Sequence, residues 1–282
     1  MIIVDFNGIA VGNIITQKLD IQEELIRHMI LNTLRMYNKK FRDKYGQMVI
    51  ACDSSSWRKE YYPQYKYKRK VSREESSMDW GQVFDIINTV KTEISENLPY
   101  RVIQVQSAEA DDIIGALCME SQEFGKNEPI MIVSADKDFI QLHKYDNVRQ
   151  FSPMTKKFIE NENPRRYLFE HICKGDSGDG IPNCLMGDDT FVNGDRQSPV
   201  TKKKIQTWLE NAEDLQSAMD SETYRNYIRN KKLVDLSEMP DALKADIINT
   251  YDCTKPVHKM KVLNYLIKKR CKMLIECVEE FY

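Results

Sequence analysis

The sequence has few of the residues that soft metal ions and covalent catalysis use. Only four histidines occur in 282 residues, and none forms an H-E-x-x-H or comparable metal spacing. The seven cysteines are widely spaced and include no C-x-x-C pair, as is typical of reduced core thiols. We therefore expect the histidines to be structural, among them His28 on a helix that Asp20 opens, with Glu23 three residues later as in a capping box.

Long hydrophobic runs and an excess of one charge are also absent. The chain is 41% hydrophobic and 30% charged with a net charge of −2, which excludes wholesale disorder and a membrane-spanning protein. The small net charge excludes little, because acids grouped in one pocket can mask basic surfaces elsewhere. The length suits one α/β body with a smaller appended domain. Because the chain starts directly with a strand, we expect no targeting peptide and a cytoplasmic location.

Three short apolar runs each end at an aspartate. Residues 1–4 stop at Asp5, residues 48–52 at Asp53, and residues 130–135 at Asp136. Runs of this length, rich in Ile and Val and separated by helical patterns, predict buried strands of a mostly parallel sheet flanked by helices. Since ligands bind at the carboxyl edge of such sheets, the three carboxylates should reach one crevice.

Further acids follow in the connections and bring the candidate set to nine. The additional ones are Glu109, Asp111, Asp112, Asp138, Asp176 and Asp179. Two carboxylates about 4 Å apart repel by roughly 4 kcal/mol at an effective dielectric near 20, so such a set requires cations. Oxygen ligands without His or Cys favour magnesium or manganese, and two such ions suit an in-line phosphoryl displacement. A single Asp after a strand is more often a cap or turn residue, but the grouping favours metal binding.

Basic and aromatic residues alternate just after the second acidic strand, in WRKEYYPQYKYKRK from Trp57 to Lys70. Cations can follow phosphates while aromatic faces stack on unpaired bases, so this run suits a single polynucleotide strand. A solvated amphipathic helix is the alternative.

Taken in order, these motifs resemble the structure-specific 5′ nuclease family, which includes the flap endonucleases. The likeness covers nearly the whole chain, and the stretch from Asp136 to Tyr145 is most similar to the RNase H branch from T-even-type bacteriophages. It implies a magnesium-dependent 5′ to 3′ exonuclease and flap endonuclease that hydrolyses RNA/DNA and DNA duplexes and removes RNA primers during phage DNA replication. Two Mg²⁺ ions are implied, with Mn²⁺ expected to substitute.

The resemblance also implies residue roles. Asp5, Asp53, Glu109, Asp111, Asp112 and Asp136 would surround one ion, and Asp138, Asp176 and Asp179 would serve the second. The catalytic set would be Asp5, Asp53, Asp111, Asp136, Arg58 and Lys66, with Arg58 and Lys66 approaching the scissile phosphate and Tyr65 and Arg69 guiding the 5′ end.

The expected domains are an α/β nuclease domain over residues 1–180, with an arch or bridge at about 57–80, and a helical domain over residues 181–282. In the family a helix-turn-helix element grips duplex phosphates. Here its Gly-rich turn is replaced by residues 187–199, after which Lys202, Lys203 and Lys204 are candidate phosphate contacts or a solvated helix face.

Expected partners are forked, flapped or nicked DNA and RNA/DNA duplex, together with a replication clamp and a single-strand-binding protein. The chain is expected to be a monomer away from membranes.

Two other classes remain open. A haloacid-dehalogenase-type phosphatase also places an Asp after its first strand, but it needs a second Asp two positions later, where this chain has Asn7. A non-enzymatic binder of branched DNA on the same fold would be expected to have lost acids, whereas every position of the acidic motif is filled.

Overall fold

The computed structural model describes residues 1–17 and 21–282 and divides them into two compact units. The first unit consists of residues 1–55, 79–160 and 241–282, and the second of residues 56–78 and 161–240. These divisions fall at positions other than residue 180, and the boundary expected there stays a prediction. Asp20 lies outside the described residues, and the helix that carries His28 begins at Glu23.

The first unit contains a sheet of six strands. They are β1 (Ile2–Asp5), β2 (Met48–Ala51), β3 (Arg101–Ile103), β4 (Ile130–Val133), β5 (Val148–Ser152) and β6 (Lys157–Ile159). Their order is β3-β2-β1-β4-β5-β6, with every neighbouring pair parallel except β5 with β6. The predicted mostly parallel α/β sheet is therefore confirmed. The sequence analysis did not identify β5 and β6.

Thirteen α-helices occur in the described residues. They are α1 (Phe6–Gln17), α2 (Glu23–Tyr45), α3 (Arg58–Tyr61), α4 (Tyr67–Glu74), α5 (Trp80–Asn97), α6 (Ala110–Glu120), α7 (Pro164–Lys174), α8 (Lys202–Glu210), α9 (Leu215–Ala218), α10 (Ser221–Val234), α11 (Asp241–Cys253), α12 (Met260–Lys268) and α13 (Lys272–Ile275).

The core of the first unit forms because apolar strands are covered by helices. Ile2, Ile3 and Val4 in β1 are fully buried, as is all of β4. Helix α2 packs against β1 and β4, and α6 packs against β1 and β2. Burial on both sides explains why these strands are continuously apolar rather than alternating. The chain returns to this unit after residue 240, where α11 packs against β3 and α12 against α5.

The second unit has a helical core of its own. Side chains from α7, α8 and α10 pack around Phe169, Trp208 and Tyr227. Tyr62 and Tyr65 from the basic aromatic run belong to the same core. Between α7 and α8 the chain forms turns and loops, as its glycine content predicts.

Within the described residues, every helix is too short or too polar to cross a lipid bilayer.

Candidate active site

The three strands that lead to aspartates are direct neighbours in the sheet of the first unit. β1 lies between β2 and β4, and all three run parallel. Asp5 is the last residue of β1, while Asp53 and Asp136 follow the ends of β2 and β4 within three residues. Because parallel strands share one carboxyl edge, the fold brings the three acids to the same rim of the sheet.

Asp5 is at the centre of this group. Its Oδ1 accepts a 2.8 Å hydrogen bond from the Gly8 N–H, and its Oδ2 accepts one of 3.0 Å from the Ser134 hydroxyl. Burial, followed by the negative charges of Asp53 and Asp136, raises the pKa of Asp5 to about 6 despite these bonds. The three charges therefore act on one another, as expected for a site that needs cations.

Asp53 is held by two donors from different elements. The Asn7 side chain donates to Oδ2 at 2.8 Å, and the Ala110 N–H at the start of α6 donates to Oδ1 at 2.7 Å. The positive end of the helix dipole also favours an anion there. Asp53 is thus oriented with its carboxylate at a helix N-terminus.

Asp136 begins the short 3₁₀ helix Lys137–Lys144 and caps it through a 2.9 Å bond from the Asp138 N–H. Its own N–H donates to the Ser134 hydroxyl at 3.1 Å, so Ser134 links Asp136 to Asp5. The buried side chain of Gln150 in β5 donates to the carbonyls of Ser134 and Asp136. This network fixes the loop that carries Asp136.

The acids of α6 are partly used by the helix itself. Glu109 and Asp112 form a reciprocal capping box, in which Asp112 Oδ2 accepts from the Glu109 N–H at 2.9 Å. Both side chains are buried, whereas Asp111 between them is partly exposed. Capping therefore occupies one carboxylate oxygen of Glu109 and one of Asp112. Asp111 is the most accessible of these three acids.

Asp176 and Asp179 belong to the second unit. Asp176 Oδ1 accepts the Gly178 and Asp179 N–H groups at 2.7 and 3.1 Å. His171, with these two backbone bonds, lowers the pKa of Asp176 to about 2. Asp179 is buried and forms ion pairs with Arg69 and Lys66, and it accepts a 3.1 Å bond from the Tyr65 hydroxyl. The ionised form of Asp176 is thus favoured, and Asp179 has two cationic partners.

The basic aromatic run presents a smaller stacking surface than the sequence indicates. Trp57, Tyr62 and Tyr65 are buried, while Tyr61 and Tyr67 are exposed. These three rings therefore have little free face for an unpaired base, and Tyr62 and Tyr65 pack into the helical core of this unit. Arg58 is also buried, and its Nε donates to the Leu233 carbonyl at 2.8 Å.

Lys202, Lys203 and Lys204 form the first turn of α8 and are exposed. Their side chains face solvent, where both a phosphate contact and a solvated helix face are compatible with the geometry.

Two protein-family models together match nearly the entire chain. The family described as "5'-3' exonuclease, N-terminal resolvase-like domain" matches residues 9–168, and the family described as "T4 RNase H, C terminal" matches residues 164–281. The chain is 30% identical over 291 residues to Ribonuclease H of Enterobacteria phage T4, covering 99% of this chain and 95% of that protein. This chain belongs to the 5′ to 3′ exonuclease family.

Other relatives of this 5′ nuclease match about half of its length. A 5'-3' exonuclease of Buchnera aphidicola is 28% identical over 163 residues, covering 55% of this chain and 53% of that protein. Flap endonuclease Xni of Shewanella is 30% identical over 143 residues, covering 48% of this chain and 50% of its own length. The family names place this 5′ nuclease among the hydrolases.

Solved structures share the fold. A bacteriophage T5 flap endonuclease in a complex with DNA and metal ions superposes with a TM-score of 0.61 at 17% identity, covering 89% of this chain and 98% of that one. The T5 5′-exonuclease with bound zinc gives a TM-score of 0.60 at 17% identity, covering 96% and 98%. These likenesses confirm the 5′ nuclease fold.

Sequence reasoning missed the residues that orient the acids of this 5′ nuclease. Gly8, Ser134 and Gln150 carry no charge and belong to no metal motif, yet all three bond to the acids or their backbone. Gln150 had no signal in the sequence, because it lies between Arg149 and Phe151 in a strand with no continuous apolar run. Asn7 was considered only as a departure from a phosphatase motif, and the structure shows it bonded to Asp53.

Proposed function

We propose that this chain is a magnesium-dependent 5′ to 3′ nuclease that acts as an exonuclease and flap endonuclease on RNA/DNA and DNA duplexes. In this proposal it removes RNA primers from lagging-strand fragments during phage DNA replication, in the cytoplasm of the host cell. The observation that supports it most directly is the convergence of Asp5, Asp53 and Asp136 at one edge of the sheet, where Asp5 is buried and lies near the other two charges. Such a site is costly without a bound cation.

The donor set fits a hard divalent ion. Neither His nor Cys bonds to Asp5, Asp53 or Asp136 in the described part of the chain. The neighbouring Cys52 thiol is buried and donates towards the Ile50 carbonyl, and burial strongly raises its pKa, so it stays a thiol. All-oxygen donors favour Mg²⁺, and Mn²⁺ should substitute.

We assign the metal ligands as the family resemblance implies. One ion would be held by Asp5, Asp53, Glu109, Asp111, Asp112 and Asp136, and the second by Asp138, Asp176 and Asp179. When bound, two such ions would lower the pKa of an attacking water and neutralise the charge that develops on the phosphate.

The protein's own contribution is to hold the acids ready. Gly8 and Ser134 fix Asp5, while Asn7 and the α6 N-terminus fix Asp53. Each carboxylate oxygen that accepts one hydrogen bond keeps further lone-pair capacity for a cation. Prearranged acids need little reorganisation when charge develops, which is the usual source of electrostatic catalysis.

The proposed substrate contacts come from the basic residues of the second unit. Lys66 would approach the scissile phosphate, and Arg58 would join it on release from its buried bond to the Leu233 carbonyl. Arg69, together with Tyr65 once its buried ring is uncovered, would guide the 5′ end. Lys202, Lys203 and Lys204 would contact duplex phosphates. The name of the T4 relative supports an RNA-containing substrate, and those of the Xni and T5 proteins support a flapped DNA. A replication clamp and a single-strand-binding protein are proposed as partners of a monomer.

The function is tested by digesting an end-labelled RNA-primed duplex and a 5′-flapped duplex side by side, with Mg²⁺ and with EDTA. We expect 5′-phosphorylated products from both substrates only when Mg²⁺ is present. Asp136→Asn should lower cleavage by at least about 100-fold while duplex binding in a gel-shift assay stays within twofold, because a ligand is lost but no basic contact. Asp146→Asn, an exposed acid in the turn before β5 at the opposite edge of the sheet, is the matched control and should cleave normally.

Cleavage that continues in EDTA, or full activity of Asp136→Asn, would refute the metal mechanism. DNA binding without cleavage under any metal would instead favour the non-enzymatic binder, and release of phosphate from small phosphate esters alone would favour the phosphatase.

A further inference from the structure

A separate cavity of about 370 Å³ lies in the first unit at the amino end of β2. Gln47 and Met48 line it, whereas Asp53 lies beyond the opposite end of the same strand. At about 3.3 Å per residue, Met48 and Asp53 are roughly 16 Å apart. The cavity is therefore distinct from the acidic site, and its volume falls in the range of small-molecule pockets.

Two unpaired cations line this cavity. The guanidinium of Arg42 has no ion pair or hydrogen bond to any residue that the structure describes. Lys259 also forms no ion pair within that part of the chain, and its ammonium lies 5.0 Å from the Tyr282 ring centroid. The nearby acid Glu280 is already neutralised by Arg35 and Lys39. The wall thus offers net positive charge to a ligand.

Tyr100 supplies an independent indication that a polar ligand belongs here. Its side chain lines the cavity and is 3% exposed, and its buried hydroxyl has no hydrogen-bond partner. Arg42 and Arg35 are the charges that act on this hydroxyl. Buried hydroxyls in native proteins are nearly always paired, so the exception calls for a missing partner. An acceptor oxygen beside Arg42 would satisfy both groups.

The remaining wall suits a nucleobase more than a simple anion. Pro99 and Tyr282, both partly exposed, provide apolar and aromatic surface beside the buried side chains of Met48 and Phe281. Asn38 donates its amide N–H to the Glu280 carbonyl, which leaves its side-chain oxygen as an acceptor on the cavity wall. Flat apolar surface, an amide acceptor and a cationic end are together the features that bind an aromatic base and a phosphate.

We propose that this cavity binds a nucleoside 5′-monophosphate, with the phosphate at Arg42, Lys259 and the Tyr100 hydroxyl and the base against the apolar wall. The phosphate and the base both contribute to binding, so adenosine alone and inorganic phosphate alone should each bind more weakly than the nucleotide. The proposal does not depend on nuclease activity.

The test is isothermal titration calorimetry of the full chain with AMP, adenosine and inorganic phosphate in EDTA, where the acidic site repels phosphate. AMP should bind with a dissociation constant below about 1 mM. Adenosine and inorganic phosphate should each bind at least about tenfold more weakly than AMP. Arg42→Gln and Tyr100→Phe should each weaken AMP binding by about tenfold or more, since each removes a bond to an anionic oxygen. Lys44→Gln, which changes an exposed lysine on the same helix, is the matched control and should bind as the unchanged chain does.

Thermal melting separates lost binding from lost folding. Tyr100→Phe removes a hydroxyl that has no partner, so the free protein should melt at the same or a higher temperature while AMP no longer raises its Tm. No AMP binding at about 10 mM, or equal binding by Arg42→Gln and the unchanged chain, would overturn the proposal. Phosphate binding as tightly as AMP would overturn the nucleoside part.

Discussion

The acidic site requires a glycine at position 8, because the Asp5 carboxylate occupies the space that a side chain there would need. A Cβ at this position would lie 2.2 Å from Asp5 Oδ2, although Gly8 is in the first turns of helix α1. The helix itself would accept alanine and gain about 1 kcal/mol of propensity. Glycine is therefore needed so that the carboxylate can approach the backbone, as its 2.8 Å bond from the Gly8 N–H shows.

We expect Gly8→Ala to fold and yet lose activity. Displacing Asp5 from its place should weaken the metal site, so cleavage should fall by at least about tenfold and recover partly at high Mg²⁺. Gly12→Ala in the same helix is the matched control, because a Cβ there meets nothing within 4 Å. Cleavage assays over a range of Mg²⁺ concentrations, with circular dichroism for folding, check both variants. Normal activity of Gly8→Ala at low Mg²⁺ would show that Asp5 is not a required ligand.

The raised pKa of Asp5 predicts how metal-free stability depends on pH. A carboxyl with a folded-state pKa of about 6 and a usual value of 3.8 binds its proton more tightly in the folded chain. Its contribution to stability is thus complete below about pH 4 and is lost as pH rises through 6, by up to about 3 kcal/mol.

Asp5→Asn should therefore raise the free energy of unfolding of the metal-free chain. The increase should be near zero at pH 4 and about 2–3 kcal/mol at pH 7. Urea unfolding in EDTA at these two pH values measures the gain. In Mg²⁺ the advantage should shrink or reverse, because an ion that binds only the folded state stabilises the unchanged chain. A gain that is the same at both pH values would show that the effect is not electrostatic.

At the scale of elements, Glu93 on α5 joins three helices of the first unit. It pairs with Arg27 of α2 and with Lys269 just after α12, and its carboxylate accepts a 2.8 Å bond from the Tyr265 hydroxyl. Burial alone would raise the pKa of Glu93, but the bonds from Arg27, Lys269 and Tyr265 outweigh it and hold that pKa below its usual value. The ionised form is therefore the one that ties these helices together.

Glu93→Gln should cost about 3 kcal/mol at pH 7, because it leaves the buried guanidinium of Arg27 with only the half-exposed Glu23 as a counter-charge. The difference in free energy of unfolding between the variant and the unchanged chain should disappear as pH falls through the lowered pKa of Glu93. Below that pH the Glu93 carboxyl of the unchanged chain is protonated and neutral, like the glutamine of the variant. Urea unfolding at pH 7 and at a series of lower pH values measures both. Glu96→Gln, an exposed acid on the same helix, should change little at any of these pH values.

The elements also show where sequence reasoning succeeds and where it stops. The apolar runs that end at Asp5, Asp53 and Asp136 identified three neighbouring parallel strands, because burial on both sides leaves a plain signal in the sequence. β5 is interrupted by exposed Arg149 and buried Gln150, and β6 is three residues long, so neither gives that signal.

The candidate site was recognisable through its charges, whereas the groups that orient it were not. Ser134 bonds to Asp5, 129 residues away in the chain, and Gln150 bonds to the Asp136 carbonyl, 14 residues away, so only the folded structure relates these groups. For the same reason the burial of Tyr65 was not apparent, because a tyrosine among lysines looks alike whether its ring faces a core or solvent.

At the scale of the whole molecule, the last stretch of chain completes the first unit. Residues 241–282 belong to the unit that contains the sheet, although 80 residues of the other unit precede them. Phe281, Leu266, Val262 and Ile247 are fully buried, and Glu280 pairs with Arg35 and Lys39 of α2. A division of the chain at residue 180 or 240 would therefore remove part of the core around the sheet.

A fragment of residues 1–240 should lose cooperative folding of its first unit. Burying a phenylalanine such as Phe281 is worth about 3–5 kcal/mol, and several such side chains leave together, which exceeds the usual stability margin of a domain. In the full chain, Phe281→Ala should cost about 3–5 kcal/mol, while Met273→Ala, at a position 74% exposed, should stay within about 0.5 kcal/mol. Near-ultraviolet circular dichroism during thermal melting checks all three. A fragment of residues 1–240 that melts cooperatively near the full chain's Tm would show that the sheet is stable without its C-terminal helices.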